Sequence, residues 1–169
     1  MAPSRAASTG SSATPAAEVL VIGFGNRLLG DDAAGPLVVD RLMGRPLPAG
    51  VSLCDGGTVG LALLPEIEDA AAIVAVDAAR FGGAPGTVRV FEGPAMDELL
   101  GGRRHSAHEV ALADLMGAAA FTGQLPARRA LVAVEPQSVA LSLQPTPAVA
   151  AAIEPICEAV EALVQRWTR

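Results

Sequence analysis

Residues 18–35 read Glu18-Val19-Leu20-Val21-Ile22-Gly23-Phe24-Gly25-Asn26-Arg27-Leu28-Leu29-Gly30-Asp31-Asp32-Ala33-Ala34-Gly35, and they decide the fold. Val19 to Ile22 form a short apolar run rich in β-branched residues, as a strand buried on both faces requires. Gly23-Phe24-Gly25-Asn26 breaks that run with turn chemistry. Two carboxylates follow, Asp31 and Asp32. Beyond them Leu37, Val38, Val39, Leu42 and Met43 recur at helical spacing, with Asp40, Arg41 and Arg45 between. The order is strand, glycine-bearing loop, acidic pair, helix. In open α/β sheets ligands bind at the carboxyl ends of strands, where this loop lies.

A dinucleotide fingerprint does not fit. G-x-G-x-x-G counted from Gly23 needs glycine where Leu28 stands, and the next glycine is Gly30. Two acids at the start of a helix also compete with a pyrophosphate for its positive end. One of Asp31 and Asp32 is expected to cap that helix. The other is surplus to capping and suits a hard cation.

Outward from this stretch the same grammar repeats. Residues 51–54 make a second strand ending in Asp55-Gly56-Gly57-Thr58, and residues 61–67 a second helix. Residues 71–76 make a third strand, apolar on both faces and closed by Asp77. Residues 87–91 alternate as an edge strand does, which suggests an antiparallel partner. Residues 94–100 and 108–120 read as helices around a polar loop carrying His105 and Ser106. Residues 131–134 are a fifth strand, and Thr146-Pro147 opens a last helix to about 165. Strands alternating with helices predict a three-layer α/β/α domain over 18–169, with a mostly parallel five-stranded sheet and one strand antiparallel. Residues 1–17, rich in Ala, Ser, Thr and Pro without an apolar core, read as a disordered tail and not a secretory signal.

Composition narrows the function. The 169 residues are 51% apolar and 18% charged, with a formal net charge of −6, and all 12 basic residues are Arg. With no basic stripe and no Tyr, nucleic acid is not an expected partner. Arg103-Arg104 and Arg128-Arg129 read as solvated loop charges. No apolar run is long enough for membrane insertion. Cys54 and Cys157 have no metal-ligand spacing and read as reduced, buried thiols of a cytoplasmic protein.

Parallel strands share a carboxyl edge, so Asp31/Asp32, Asp55 and Asp77 are expected to converge there. Gathered acids repel unless a cation or a shared proton compensates them. The two histidines, His105 and His108, lie at one loop–helix boundary. Two carboxylates and one imidazole make an open divalent-metal site. Each acid also has a plainer reading: Asp32 as a cap, Asp77 as an acceptor of turn N–H groups, Asp55 as a loop former.

Five segments in series resemble one family. Gly23 to Gly35, Asp55-Gly56-Gly57-Thr58-Val59-Gly60, Val76-Asp77-Ala78, Ser106 to Leu112 and Val134-Glu135-Pro136-Gln137-Ser138 resemble, in order, the motifs of the nickel–iron hydrogenase maturation endopeptidases. The resemblance implies a five-stranded twisted sheet between helices. It implies an endopeptidase that removes the C-terminal extension of a hydrogenase large subunit precursor after nickel insertion. The family's catalytic and metal-contacting trio falls on Asp32, Asp77 and His108, with nickel supplied by the substrate and no organic cofactor. Substrate recognition falls on Asp55, Gly56, Gly57 and Asn26. The first ligand position is often Glu in the family and is Asp32 here, one methylene shorter. The alternatives are a non-catalytic nickel-sensing chaperone of the precursor and a metallopeptidase with its own tightly bound metal.

Overall fold

The computed structural model describes residues 18–102 and 107–169. Five strands form one sheet: β1 Val19–Phe24, β2 Val51–Gly57, β3 Ala72–Ala78, β4 Val88–Glu92 and β5 Arg128–Val134. Their order is β2-β1-β3-β5-β4. β1 pairs in parallel with β2 and β3, and β3 with β5, while β4 pairs antiparallel with β5. The alternation read at 87–91 therefore marks an antiparallel edge strand, as expected. The strands buried on both faces, β1 and β3, are the ones that read as unbroken apolar runs.

Five helices flank the sheet: α1 Ala34–Met43, α2 Leu64–Asp69, α3 Pro94–Gly101, α4 Ala107–Phe121 and α5 Pro147–Trp167. Period two along the strands divides the core. Val19, Val21, Val74, Val76, Val132 and Val134 face α1 and α5, meeting Val38, Leu42, Ile156 and Val160. Leu20, Ile22, Ile73, Ala75, Leu131 and Ala133 face the other helices, meeting Ile67, Met96, Leu112 and Leu115. The three layers are thus a sheet with an apolar cluster on each face.

Several local expectations are corrected. α1 does not begin at a capping acid. A 3-10 turn, Gly30–Ala33, precedes it, its N-cap is Ala33, and no side chain caps it. Met43 lies 62% exposed, because it falls past the buried stripe of α1. β2 runs through Asp55 to Gly57, with a register shift that sets Gly57 opposite Phe24. An extra residue is accommodated there by a bulge, which glycines tolerate. Asp77 lies inside β3, not after it, since Ala78 still pairs with Val134. Arg128 and Arg129 open β5; Arg129 Nε donates to Asp97 Oδ1 at 2.9 Å and Arg128 Nη1 to Trp167 O at 3.0 Å. Arg103-Arg104 lie outside the described residues. Cys157 is buried and Cys54 only half-buried, and both are free thiols.

Candidate functional site

The carboxyl edge of β1 is built by close backbone approach. Gly25 has φ +134, and a Cβ there would stand 1.8 Å from the Asp32 carbonyl oxygen. A Cβ on Gly35 would lie 2.2 Å from Phe24 O and 2.6 Å from Val76 O. Glycine at these two places lets the start of α1 rest on the ends of β1 and β3. That contact brings the 3-10 turn carrying Asp31 and Asp32 onto β3, the strand that carries Asp77.

Asp32 is 3% exposed, and its Oδ2 accepts the Asn26 backbone N–H at 2.9 Å. Asn26 is itself fixed, its Oδ1 accepting the Leu28 N–H at 2.9 Å. Asp77 is 1% exposed and stands opposite Ala133 of β5. By strand parity it shares a face with Ile73 and Ala75, the face covered by α4. His108 occupies the first turn of α4; its side chain, and all of His105, lie outside the described residues. Among the described residues no three His, Cys, Asp or Glu side chains form a group suited to a metal ion. Two buried carboxylates thus meet one edge of the sheet, on elements that pack together, with the helix bearing His108 over the Asp77 face.

Asp55 does not join this pair as a buried acid. Its side chain is 36% exposed and ion-paired to Arg27 at 2.8 Å, and its Oδ1 accepts the Gly57 N–H at 3.0 Å. The loop-forming reading of Asp55 matches these bonds. Cys54 next to it is held protonated: burial raises its pKa, and Glu66 and Asp55 add to the rise.

Two buried acids act differently from anything their local sequence announces. Asp31 is fully buried, and its carboxylate accepts the backbone N–H groups of Gln137 (2.7 Å), Ser138 (2.9 Å) and Thr146 (2.6 Å) and the Thr146 hydroxyl (3.0 Å). Thr146 is the N-cap residue of α5, with Pro147 following as expected, but its hydroxyl serves Asp31 and does not cap the helix. Burial pushes the Asp31 carboxyl up, yet the four donors outweigh it and the pKa is lowered. Glu135 is 5% exposed, and its Oε2 accepts the N–H groups of Phe81 (2.8 Å) and Gly83 (3.1 Å). It thereby ties down the loop that leaves β3 just beyond Asp77.

The family model for hydrogenase maturation proteases matches residues 36–163. The hydrogenase 2 maturation protease of Escherichia coli K12 is 37% identical over 149 residues, covering 87% of this chain and 90% of that protein. The hydrogenase expression/formation protein HupM of Azotobacter chroococcum is 37% identical over 119 residues, 70% of this chain, and the match spans only 57% of that longer protein. Among solved structures, the hydrogenase maturating endopeptidase HybD of E. coli superposes with a TM-score of 0.83 at 36% identity, covering 88% of this chain and 93% of that one. The chain belongs to the hydrogenase maturation protease family.

Proposed function

We propose that this protein is the endopeptidase that removes the C-terminal extension of a nickel–iron hydrogenase large subunit precursor once nickel is in place. Family membership sets the reaction class. The observation that carries the site is the burial of Asp32 and Asp77, 3% and 1% exposed, at one edge of the sheet beside the helix that bears His108. In this reading Asp32, Asp77 and His108 contact the nickel of the incoming precursor, and Asp55, Gly56, Gly57 and Asn26 form the recognition surface. The nickel is substrate, not a resident cofactor. In this reading a water beside the nickel would attack the scissile carbonyl: the nickel would lower the water's pKa, and one of the carboxylates would take its proton as general base and hand it to the leaving amine as the C–N bond breaks. Loading of the precursor then becomes the check that licenses cleavage.

The experiment is cleavage of a precursor from the same cell, with and without nickel, by the wild type and Asp77→Asn. The expected outcome is shortening of the loaded form alone, and none by Asp77→Asn with its circular dichroism unchanged. Normal processing by Asp77→Asn sinks the site assignment. Binding without shortening favours the chaperone, and nickel retained by the purified enzyme favours an independent metallopeptidase.

A further inference from the structure

Arg27 is the hub of the recognition face. Its Nε and Nη2 donate to Asp55 Oδ2 at 3.2 and 2.8 Å. Its Nη1 and Nη2 donate to Asp40 Oδ2 and Oδ1 at 2.6 and 2.9 Å, and Nη2 reaches Pro36 O at 3.4 Å. One guanidinium therefore grips two carboxylates, each through two donors, on β2 and on α1. Both oxygens of the Asp55 carboxylate are engaged, since Oδ1 takes the Gly57 N–H at 3.0 Å. The Gly57 carbonyl in turn accepts the Gly25 N–H at 3.2 Å. The neighbouring residue, Asn26, gives its N–H to Asp32. One short loop thus carries both the grip on the β2 end and the hydrogen bond that orients the Asp32 carboxylate.

We propose that Arg27 is a positioning residue for substrate recognition, clamping Asp55 and the Gly56-Gly57 segment to α1 through Asp40; this rests on the endopeptidase reading. The competing account is a set of solvated ion pairs, for the Arg27 and Asp40 side chains are 43% and 50% exposed. Exposed pairs contribute little to stability. A fork holding two carboxylates from separate elements nonetheless fixes their relative placement, and lysine, with a point charge, does not reproduce it. The clamp should therefore appear in substrate binding and not in folding. Asp40, on α1, accepts from Arg27 on both carboxylate oxygens and lies outside the catalytic and recognition motifs, so it tests the clamp from the far side.

The test is steady-state cleavage of nickel-loaded precursor by the wild type, Arg27→Ala, Arg27→Lys, Asp40→Ala, Asp55→Ala and the Arg27→Ala/Asp40→Ala double variant. Arg27→Ala is expected to raise KM roughly three- to tenfold with kcat within about twofold. Asp40→Ala moves KM the same way by less, Arg27→Lys recovers only part, and the double variant is no worse than Arg27→Ala, because Asp40 acts through Arg27. A wild-type KM in Arg27→Ala beside a raised KM in Asp55→Ala overturns the clamp, since Asp55 then meets the substrate unaided. Additive effects in the double variant overturn it too. Should Arg27→Ala fail to fold, Arg27→Lys and Asp40→Ala decide by the same KM readout. A wild type that leaves loaded precursor uncut overturns the endopeptidase reading itself, which separates the two failures.

Discussion

Asp31 and Asp32 are adjacent, yet their carboxylates have different partners. Asp31 accepts three backbone N–H groups and a hydroxyl from residues 137–146, while Asp32 accepts the Asn26 N–H at the end of β1. Asp31 thus fastens the loop between β5 and α5 to the loop after β1. Its removal strands buried donors, so Asp31→Ala should cost roughly 2–4 kcal/mol in urea denaturation at neutral pH. The pH dependence has a definite sign. The folded pKa is depressed below the ordinary value of 3.8, so the contribution is fully present above about that pH and is lost as pH falls through the folded value. The gap between wild type and Asp31→Ala should stay constant from pH 7 to about 5 and narrow below about 4. A gap that is flat down to pH 2 would mean that the carboxylate charge is not what the four donors bind.

At the level of elements, much was legible because it is local. Val19 to Ile22 and Ala71 to Val76 announce central strands by composition alone, and Thr146-Pro147 announces the start of α5. The alternation of residues 87–91 announces an edge strand, and β4 does pair antiparallel with β5. What was not legible depends on residues far apart in the chain. Nothing near Asp31 says that its acceptors are filled from more than 100 residues away, with separations of 106 to 115. Nothing near Arg27 says that Asp55 will stand beside it, and neither the strand order nor the bulge at Gly57 follows from periodicity. For the site, the acids could be named from their places near the carboxyl ends of strands; that Asp55 and Asp77 lie inside β2 and β3, and how each acid is buried and bonded, could not. Helix α5 offers a test of local against tertiary control. Pro155 sits inside its 21 residues, exposed on the outer face, where it removes one intrahelical hydrogen bond. The helix persists because Val149, Ile153, Ile156, Val160 and Val164 are all buried on the opposite side. Pro155→Ala should therefore raise stability by about 1–3 kcal/mol in urea denaturation. No gain would show that the tertiary clamp already fixes a bend at that turn.

Across the whole molecule, stability and chemistry are placed in different parts of one sheet. Two apolar clusters cover its faces, and the acids gather at its carboxyl edge. Ile156 belongs to the cluster between the sheet and α5, is fully buried, and lies away from the α4 face toward which Asp77 points. Truncating it leaves a cavity that close-packed neighbours fill only in part, costing roughly 2–5 kcal/mol. For a chain of this size that lowers the melting temperature by roughly 5–15 °C. If the rigid edge is insulated from that loss, Ile156→Ala should cleave nickel-loaded precursor at the wild-type rate well below its melting point. The measurements are a thermal melt and initial rates at about 20 °C, where the folded fraction is still near one. A rate that falls while the protein remains folded would mean that packing beneath α5 is transmitted through β1 and β3 to the carboxylates. Gly25 and Gly35 are where such a shift would enter, because the start of α1 rests there on the strand ends without a side chain between.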